Sequence, residues 1–278
     1  MSDNHFTVLG GGGFIGGHLV RHLRKLGASC WVPGRDDASL FKRDLGDVIY
    51  AIGLTADYRS RPLDTVEAHV GVLRRLIADG QFNSLTYLSS TRVYAGAAST
   101  QESGALQVNP NAAADLYNLS KLMGESLCLH GGHPRMKVAR LSNIVGLHVD
   151  PHKSGHNFID QLLDEGQRTG RVQLQTALES SKDYLSVADA TDALLRIALS
   201  PHCGIFNLAS GQGVTHAEIA YWLVSEMGWQ VSVAHGAQSW RFQPIDISKA
   251  RRILGFAPQT FTSYFPAMLR SLRDTEST

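Results

Sequence analysis

The chain has 278 residues, 43% of them hydrophobic and 18% charged, with a formal net charge of +1. That length accommodates one large domain or a domain with a smaller appendage, and the composition is that of a globular chain, which excludes disordered and fibrous classes. Near-neutral charge gives no electrostatic reason to expect nucleic acid or a membrane surface as partner, and no run approaches the ~18 apolar residues of a membrane span. Cys30, Cys128 and Cys203 are odd in number and scattered, which points to reduced thiols and not a disulfide frame. Met1-Ser-Asp-Asn-His runs straight into Phe6-Thr-Val-Leu with no export-type segment, so a cytoplasmic location is expected.

In chain order, Phe6–Leu9 reads as a buried strand, followed by glycines and an amphipathic helix from Phe14 to about Leu26 that Gly27 stops. Strands are expected at Ser29–Pro33, Asp47–Ile52, Leu85–Ser89 and Met136–Leu141, with helices near Pro62–Asp79 and Ala112–His130. Alternating strands and helices predict an α/β fold, a doubly wound parallel (Rossmann) sheet covered on both faces. The short interval after the second strand holds no convincing extra strand, so this half of the sheet is expected to be trimmed. Beyond Gly146 helices are expected near His156–Glu165, Val187–Leu199 and His216–Met227, with short strands at Arg171–Leu174 and Gly204–Leu208. Residues 1–146 are thus mainly a dinucleotide-binding unit, and 147–278 mainly a substrate-binding lobe interleaved with the sheet.

Two motifs carry the chemistry. Gly10, Gly13 and Gly16 lie between a strand and a helix, with Phe14 and Ile15 opening the helix. Such glycines let the backbone turn tightly and approach a pyrophosphate, which rests on the helix N-terminus. Tyr117-Asn-Leu-Ser-Lys121 places a cation and a phenol four residues apart on one helix face, which favours a tyrosine that gives and takes protons, its pKa drawn towards neutral. With a nicotinamide supplying hydride, the pair reads as a redox enzyme. After the second strand, Gly34 stands where an acid would bind a ribose 2′-hydroxyl and Arg35 follows it. This leans towards NADP, while Asp36 keeps NAD possible.

With Ser89-Ser-Thr-Arg-Val-Tyr94 between these motifs, the chain resembles the extended short-chain dehydrogenase/reductase family, the NAD-dependent epimerases and dehydratases that modify nucleotide-sugars. Ala51-Ile52-Gly53-Leu54 matches the segment after the family's cofactor-lining strand. Arg140-Leu-Ser-Asn143-Ile-Val-Gly146, Lys182-Asp-Tyr-Leu-Ser-Val-Ala-Asp189, and Asp246-Ile-Ser-Lys-Ala with Leu254-Gly-Phe-Ala-Pro258 match later segments. The resemblance implies that Ser90, or alternatively Ser89, bonds the substrate carbonyl. It further implies that Tyr117 passes a proton to the developing alkoxide, and that Lys121 lowers the tyrosine pKa while bonding the nicotinamide ribose. Thr91 and Asn143 are the family's substrate-side positions, and Arg241 is a candidate phosphate partner by its guanidinium. The resemblance also implies a homodimer through the Pro62–Asp79 and Ala112–His130 helices.

Departures from the family narrow the reaction. Dehydratases place Asp-Glu directly after the catalytic Thr, whereas Thr91-Arg92 stand here. Galactose-type epimerases that retain NAD usually carry the acid that Gly34 replaces. NADPH-dependent reduction of a 4-keto-deoxysugar nucleotide is the leading expectation. An epimerase with tightly held NAD, reduction of a non-sugar ketone, and a cofactor-sensing regulator without turnover are the alternatives. His69 replaces a common family Asn. His148, His152 and His156 recur every four residues, but Pro151 and Gly155 break a helix there, so a polar loop is expected and no metal.

Overall fold

The computed structural model describes residues 5–35, 37–55, 57–149 and 157–276. In chain order the elements are β1 (His5–Leu9), α1 (Phe14–Lys25), β2 (Ser29–Trp31), β3 (Asp47–Tyr50), α2 (Pro62–Val66), α3 (Val72–Asp79), β4 (Ser84–Ser90), α4 (Asp115–His130) and β5 (Met136–Leu141). Then follow β6 (Asn143–Val145), α5 (Phe158–Thr169), β7 (Arg171–Leu174), β8 (Ser181–Ser186), α6 (Val187–Leu199), β9 (Gly204–Leu208), β10 (Gly213–Thr215), α7 (His216–Met227), β11 (Gln230–Val233), α8 (Ser248–Leu254) and α9 (Phe261–Glu276).

Strands rich in apolar residues with both faces buried belong in a parallel sheet sandwiched by helices. β4 and β5 are of this kind, and the main sheet is six-stranded and parallel, in the order β2-β1-β3-β4-β5-β9. One face packs Leu19, Val20 and Leu23 of α1 with Ala190, Leu194 and Ile197 of α6. The other packs Leu73 and Leu76 of α3 with Cys128 of α4 around Tyr50 and Tyr87. This is the doubly wound Rossmann-like arrangement expected from the alternation. Its outer half is short: β2 has three residues at the sheet edge, and a 3-10 turn at Ala38–Phe41 is the element described between it and β3.

A second core gathers Ile159, Leu163, Leu174, Tyr184, Leu223, Phe261 and Phe265, supplied by α5, β7, β8, α7 and α9. Two small sheets, β10-β8-β6 and β11-β7, frame it. The C-terminal half also returns to the main sheet through β9 at its edge and through α6 and α8 against its core. Of these small strands the sequence pattern shows only β7. β8 reads Ser-Lys-Asp-Tyr-Leu-Ser, and its Asp183 is tolerated inside because it accepts the backbone N–H groups of Ser210 and Gly211 at 2.8 Å each.

The helix expected over Pro62–Asp79 carries a π turn at Glu67–Gly71 between α2 and α3. A π turn inserts one residue into the helical ladder and changes which side chains face inward; here it presents His69, 0% exposed, to the core. α4 begins at Asp115 and not at Ala112, because Asp115 closes the preceding turn by accepting the Asn109 N–H at 2.8 Å. Among the described residues no helix is long and apolar enough to cross a membrane.

Candidate active site

The glycine run folds as a tight turn whose close approaches leave no room for side chains. Gly10 has φ +82°, and a Cβ there would lie 2.7 Å from the Ala51 carbonyl oxygen. A Cβ on Gly16 would collide with the Gly10 carbonyl. Gly13 is the N-cap of α1 with no side-chain cap, and the first turn of the helix contains no acid. Backbone N–H groups at a bare helix start, with a glycine floor, suit a pyrophosphate. Phe14 and Ile15 are partly buried at that start, and Phe14 packs on His18 and His148 at 5.2 and 4.8 Å between ring centroids. The residues present fit the turn of a dinucleotide cofactor.

Ala51, Ile52, Gly53 and Leu54 leave β3 beside this turn. Ala51 N–H donates to Leu9 at 2.8 Å. A Cβ on Gly53 would sit 3.4 Å from His69 Nε2 and 3.5 Å from Lys121 Nζ, so the segment passes from the glycine turn to the Tyr117 helix. Arg35 is exposed just past β2, and Asp36 lies outside the described residues. Arg43, which carries no sequence signal, stacks on Trp31 of β2 at 4.2 Å, placing a second cation near that strand end.

Tyr117 and Lys121 are 4% and 5% exposed on α4. Lys121 Nζ donates to the Leu88 carbonyl at 2.9 Å and lies 5.9 Å from the Tyr117 ring centroid. Ser90, at the end of β4, hydrogen-bonds Tyr117, whereas the Ser89 hydroxyl donates to Glu125 at 2.5 Å. Of the two serines, Ser90 therefore stands at the tyrosine. Thr91 is buried in the 3-10 turn that follows.

The electrostatics differ from what helix spacing alone implies. Burial pushes the Tyr117 phenol above its ordinary value, and the Ser90 hydrogen bond, the Arg92 charge and the Thr55 hydrogen bond only partly oppose this. Burial likewise pulls Lys121 down to about 7, with the charge of Glu125 opposing. The expectation that the pair brings the phenol towards neutral is thus corrected for the protein on its own. For each group desolvation outweighs the neighbours that favour its charged form.

Residues that motif reading missed complete the cluster. Tyr58, from the loop after β3, lies 5.5 Å from Tyr117 between ring centroids, and its hydroxyl accepts from Arg92 at 2.9 Å. The His69 ring meets Tyr117 edge-on at 5.3 Å, with Nδ1 2.8 Å from the Ser120 hydroxyl and Nε2 accepting from Leu54 N–H at 3.4 Å. An Nε2 acceptor fixes the proton on Nδ1, and burial, aided by the Lys121 charge, drives the His69 pKa down to about 2. Glu125, one turn beyond Lys121, is paired with Arg140, at 2.6 Å to the nearer guanidinium nitrogen.

On the far side, Asn143 is exposed and its amide donates to the Asp183 carbonyl at 2.7 Å. Arg241 is exposed and bridges to Ser181, next to Lys182. Lys182 lies 5.2 Å from the Phe158 ring, and burial, together with the Arg92 charge, lowers its pKa. His148 turns to Phe14 and to Asp160, at 3.5 Å; His152 and His156 lie outside the described residues. No group of three metal-ligating side chains occurs among the described residues.

The model of the NAD dependent epimerase/dehydratase family matches residues 6–209. The chain belongs to that family. Among its relatives, UDP-glucuronic acid decarboxylase 6 of Arabidopsis thaliana is 25% identical over 297 aligned positions, covering 93% of this chain and 85% of that protein. GDP-6-deoxy-D-mannose reductase of Pseudomonas aeruginosa is 29% identical over 233 positions, covering 74% of each. MoeE5 in complex with UDP-glucose and NAD superposes with a TM-score of 0.81 at 20% identity, covering 99% of this chain and 100% of that one. RMD from Pseudomonas aeruginosa complexed with NADPH gives 0.74 at 21% identity, covering 99% and 100%. These likenesses establish an epimerase/dehydratase fold whose solved members bind either NAD or NADPH. The relatives of this family member include decarboxylases and a reductase that act on nucleotide-sugars.

Proposed function

We propose that this family member is an NADPH-dependent reductase of a nucleotide-linked 4-keto-deoxysugar. The observation that carries the reading is the set of groups acting on the Tyr117 phenol: Ser90, Thr55, Arg92 and Tyr58, with no carboxylate among them in the described residues. Elimination of water needs a dedicated acid and base. Glu125, the carboxylate this network does contain, is committed to Arg140 and Ser89. Carbonyl reduction by a nicotinamide hydride would need from the chain only two oriented hydroxyls and a proton, which Ser90 and Tyr117 supply.

In this mechanism the cleft holds the dinucleotide against the 1–146 unit and the sugar nucleotide against the 147–278 lobe. Gly10, Gly13 and Gly16, with Phe14 and Ile15, take the pyrophosphate at the start of α1. Ala51 to Leu54, Tyr117 and Lys121 border the nicotinamide half, and Arg35 takes the 2′-phosphate. A bound nicotinamide supplies the hydride. Ser90 hydrogen-bonds the substrate carbonyl oxygen, Thr91 and Asn143 border the sugar, Arg241 pairs with a phosphate, and Tyr117 gives its proton to the alkoxide. Charge appears on that oxygen only as reduction proceeds, so these donors stabilise the transition state more than the ground state. Exposed Leu63 and Val66 on α2 and Met123 and Leu129 on α4 support a homodimer through these helices, and a cytoplasmic location belongs to the same reading.

The decarboxylase relatives favour a second reading, a redox-neutral enzyme such as an epimerase that retains NAD. Purified protein separates the two. Consumption of NADPH by an initially nucleotide-free protein with a 4-keto-sugar nucleotide supports the reductase; release of stoichiometric NAD on denaturation supports the alternative. Tyr117→Phe is expected to lower kcat by about 10²–10⁴ while leaving NADPH affinity within about twofold. A fully active Tyr117→Phe protein would overturn both readings.

A further inference from the structure

Arg92 is the residue in the site whose arrangement family chemistry leaves unused. Its guanidinium carbon lies 5.3 Å from the Tyr117 ring centroid, closer than Lys121 Nζ at 5.9 Å. Three contacts fix it there. Its backbone N–H donates to Ser90 Oγ at 3.2 Å, its Nη2 donates to the Tyr58 hydroxyl at 2.9 Å, and the guanidinium packs 5.0 Å from the Tyr58 ring centroid. Among the described residues no carboxylate forms an ion pair with it. Half-buried and uncompensated, its field acts on what it faces, and what it faces is the reacting phenol.

We propose that Arg92 is a second catalytic cation, which stabilises the negative charge left on Tyr117 Oη when its proton moves to the substrate oxygen. The inference rests on the proton-donor role given to Tyr117 above. In that step the Tyr117 O–H bond breaks, an O–H bond forms on the substrate alkoxide, and the electron pair stays on Oη. Arg92 neither gives nor takes a proton. A guanidinium keeps its charge at every working pH, whereas an ammonium loses it readily when buried. That distinction matters because burial brings Lys121 to about 7.

The other groups facing Tyr117 cannot replace this charge. Ser90 and Thr55 offer neutral hydrogen bonds, and the Tyr58 hydroxyl disfavours the phenolate. The His69 ring, edge-on from the π turn, is neutral because its pKa falls to about 2. Tyr87 stacks under Lys121 at 5.1 Å. Arg59 sits on Tyr58 at 5.5 Å, one ring removed. From the C-terminal lobe, Lys182 is repelled by Arg92, so the two cations do not neutralise each other but sum towards the cleft.

The test reads the phenol directly and needs no substrate. 3,5-Difluorotyrosine, several units more acidic than tyrosine, is introduced at position 117 and titrated by ¹⁹F NMR in otherwise unaltered protein, in Arg92→Gln and in Arg92→Lys. Charge–charge interaction at this separation, screened by partial exposure, predicts a phenolate midpoint about one unit higher in Arg92→Gln, tenfold less phenolate at a given pH. Arg92→Lys, which keeps the charge, is expected to recover at least half of that shift. Equal midpoints to within about 0.3 unit in all three proteins overturn the proposal, as does an Arg92→Lys midpoint equal to that of a folded Arg92→Gln. If no keto-sugar nucleotide is turned over, the functional reading fails while the titration still decides the role of the cation.

Discussion

Lys121→Met is expected to abolish turnover and yet make the protein more stable, by an amount that depends on pH. The ammonium is 5% exposed, it donates a hydrogen bond to the Leu88 carbonyl, and the Glu125 carboxylate whose charge supports it is bonded to Arg140 and Ser89. Its pKa falls from 10.5 to about 7 on folding. Between those values the unfolded chain binds more protons than the folded one, so stability rises with pH; below about 7 both forms are protonated and the full penalty stands. At about 1.4 kcal/mol per unit, the buried ammonium costs about 4 kcal/mol at pH 7 and about 1 kcal/mol at pH 10. Methionine has similar reach and no charge, but it forfeits the Leu88 hydrogen bond, which costs about 1 kcal/mol. The variant should therefore be about 3 kcal/mol more stable than the parent at pH 7 and nearly equal to it at pH 10. Guanidinium unfolding of nucleotide-stripped protein at both pH values measures this. A variant no more stable at pH 7, or one whose advantage persists unchanged at pH 10, refutes the reasoning.

Two further substitutions test other parts of the site. Glu125→Gln leaves the Arg140 guanidinium, 2% exposed, without its counter-charge and should cost about 3 kcal/mol in urea unfolding at pH 7, with Glu125→Gln/Arg140→Met less destabilised than the single variant. Equal stability of Glu125→Gln and parent would show that the pair is not buried as described. Gly16→Ala drives a methyl into the Gly10 carbonyl; dinucleotide affinity measured by calorimetry should fall at least tenfold, about 1.4 kcal/mol, and unchanged affinity would show that the turn is not the cradle.

What was legible in the sequence was local. The strand, glycine turn and α1 stand within Phe6–Lys25, and Tyr117 and Lys121 lie on one helix face, so spacing alone brings each set together. The central sheet follows from alternation of apolar strands with helices. The small strands of the second lobe do not, because β6, β8 and β10 are three to six residues long and β8 buries Asp183, where pattern reading expects an apolar group. The choice between Ser89 and Ser90 as the neighbour of Tyr117 needed the strand end, which turns one hydroxyl to the phenol and the other to Glu125. Thr55, Tyr58 and Arg92 reach Tyr117 from separate segments, and no spacing rule links a loop after β3 to a turn after β4. Nor does spacing report burial, which is why an i,i+4 cation–phenol pair gave the wrong direction for the tyrosine.

The near-neutral net charge conceals an uneven distribution that bears on the chemistry. Near the site, three carboxylates have internal partners: Glu125 has Arg140 and Ser89, Asp183 the Ser210 and Gly211 N–H groups, and Asp160 has His148. Lys121, Arg92 and Lys182 have no ion-pair partner among the described residues. Desolvated cations without counter-ions destabilise the protein alone and are relieved by an anionic ligand, so the cost of holding them empty returns as affinity for a polyanion such as a dinucleotide or a nucleotide-sugar. The same excess favours a phenolate and an alkoxide over a neutral carboxylic acid at the reacting centre. A carboxylate base placed there would be ionised and salt-bridged, too weak a base to take a carbon-bound proton at neutral pH. Proton exchange through Tyr117 is the chemistry that this distribution of charge assists.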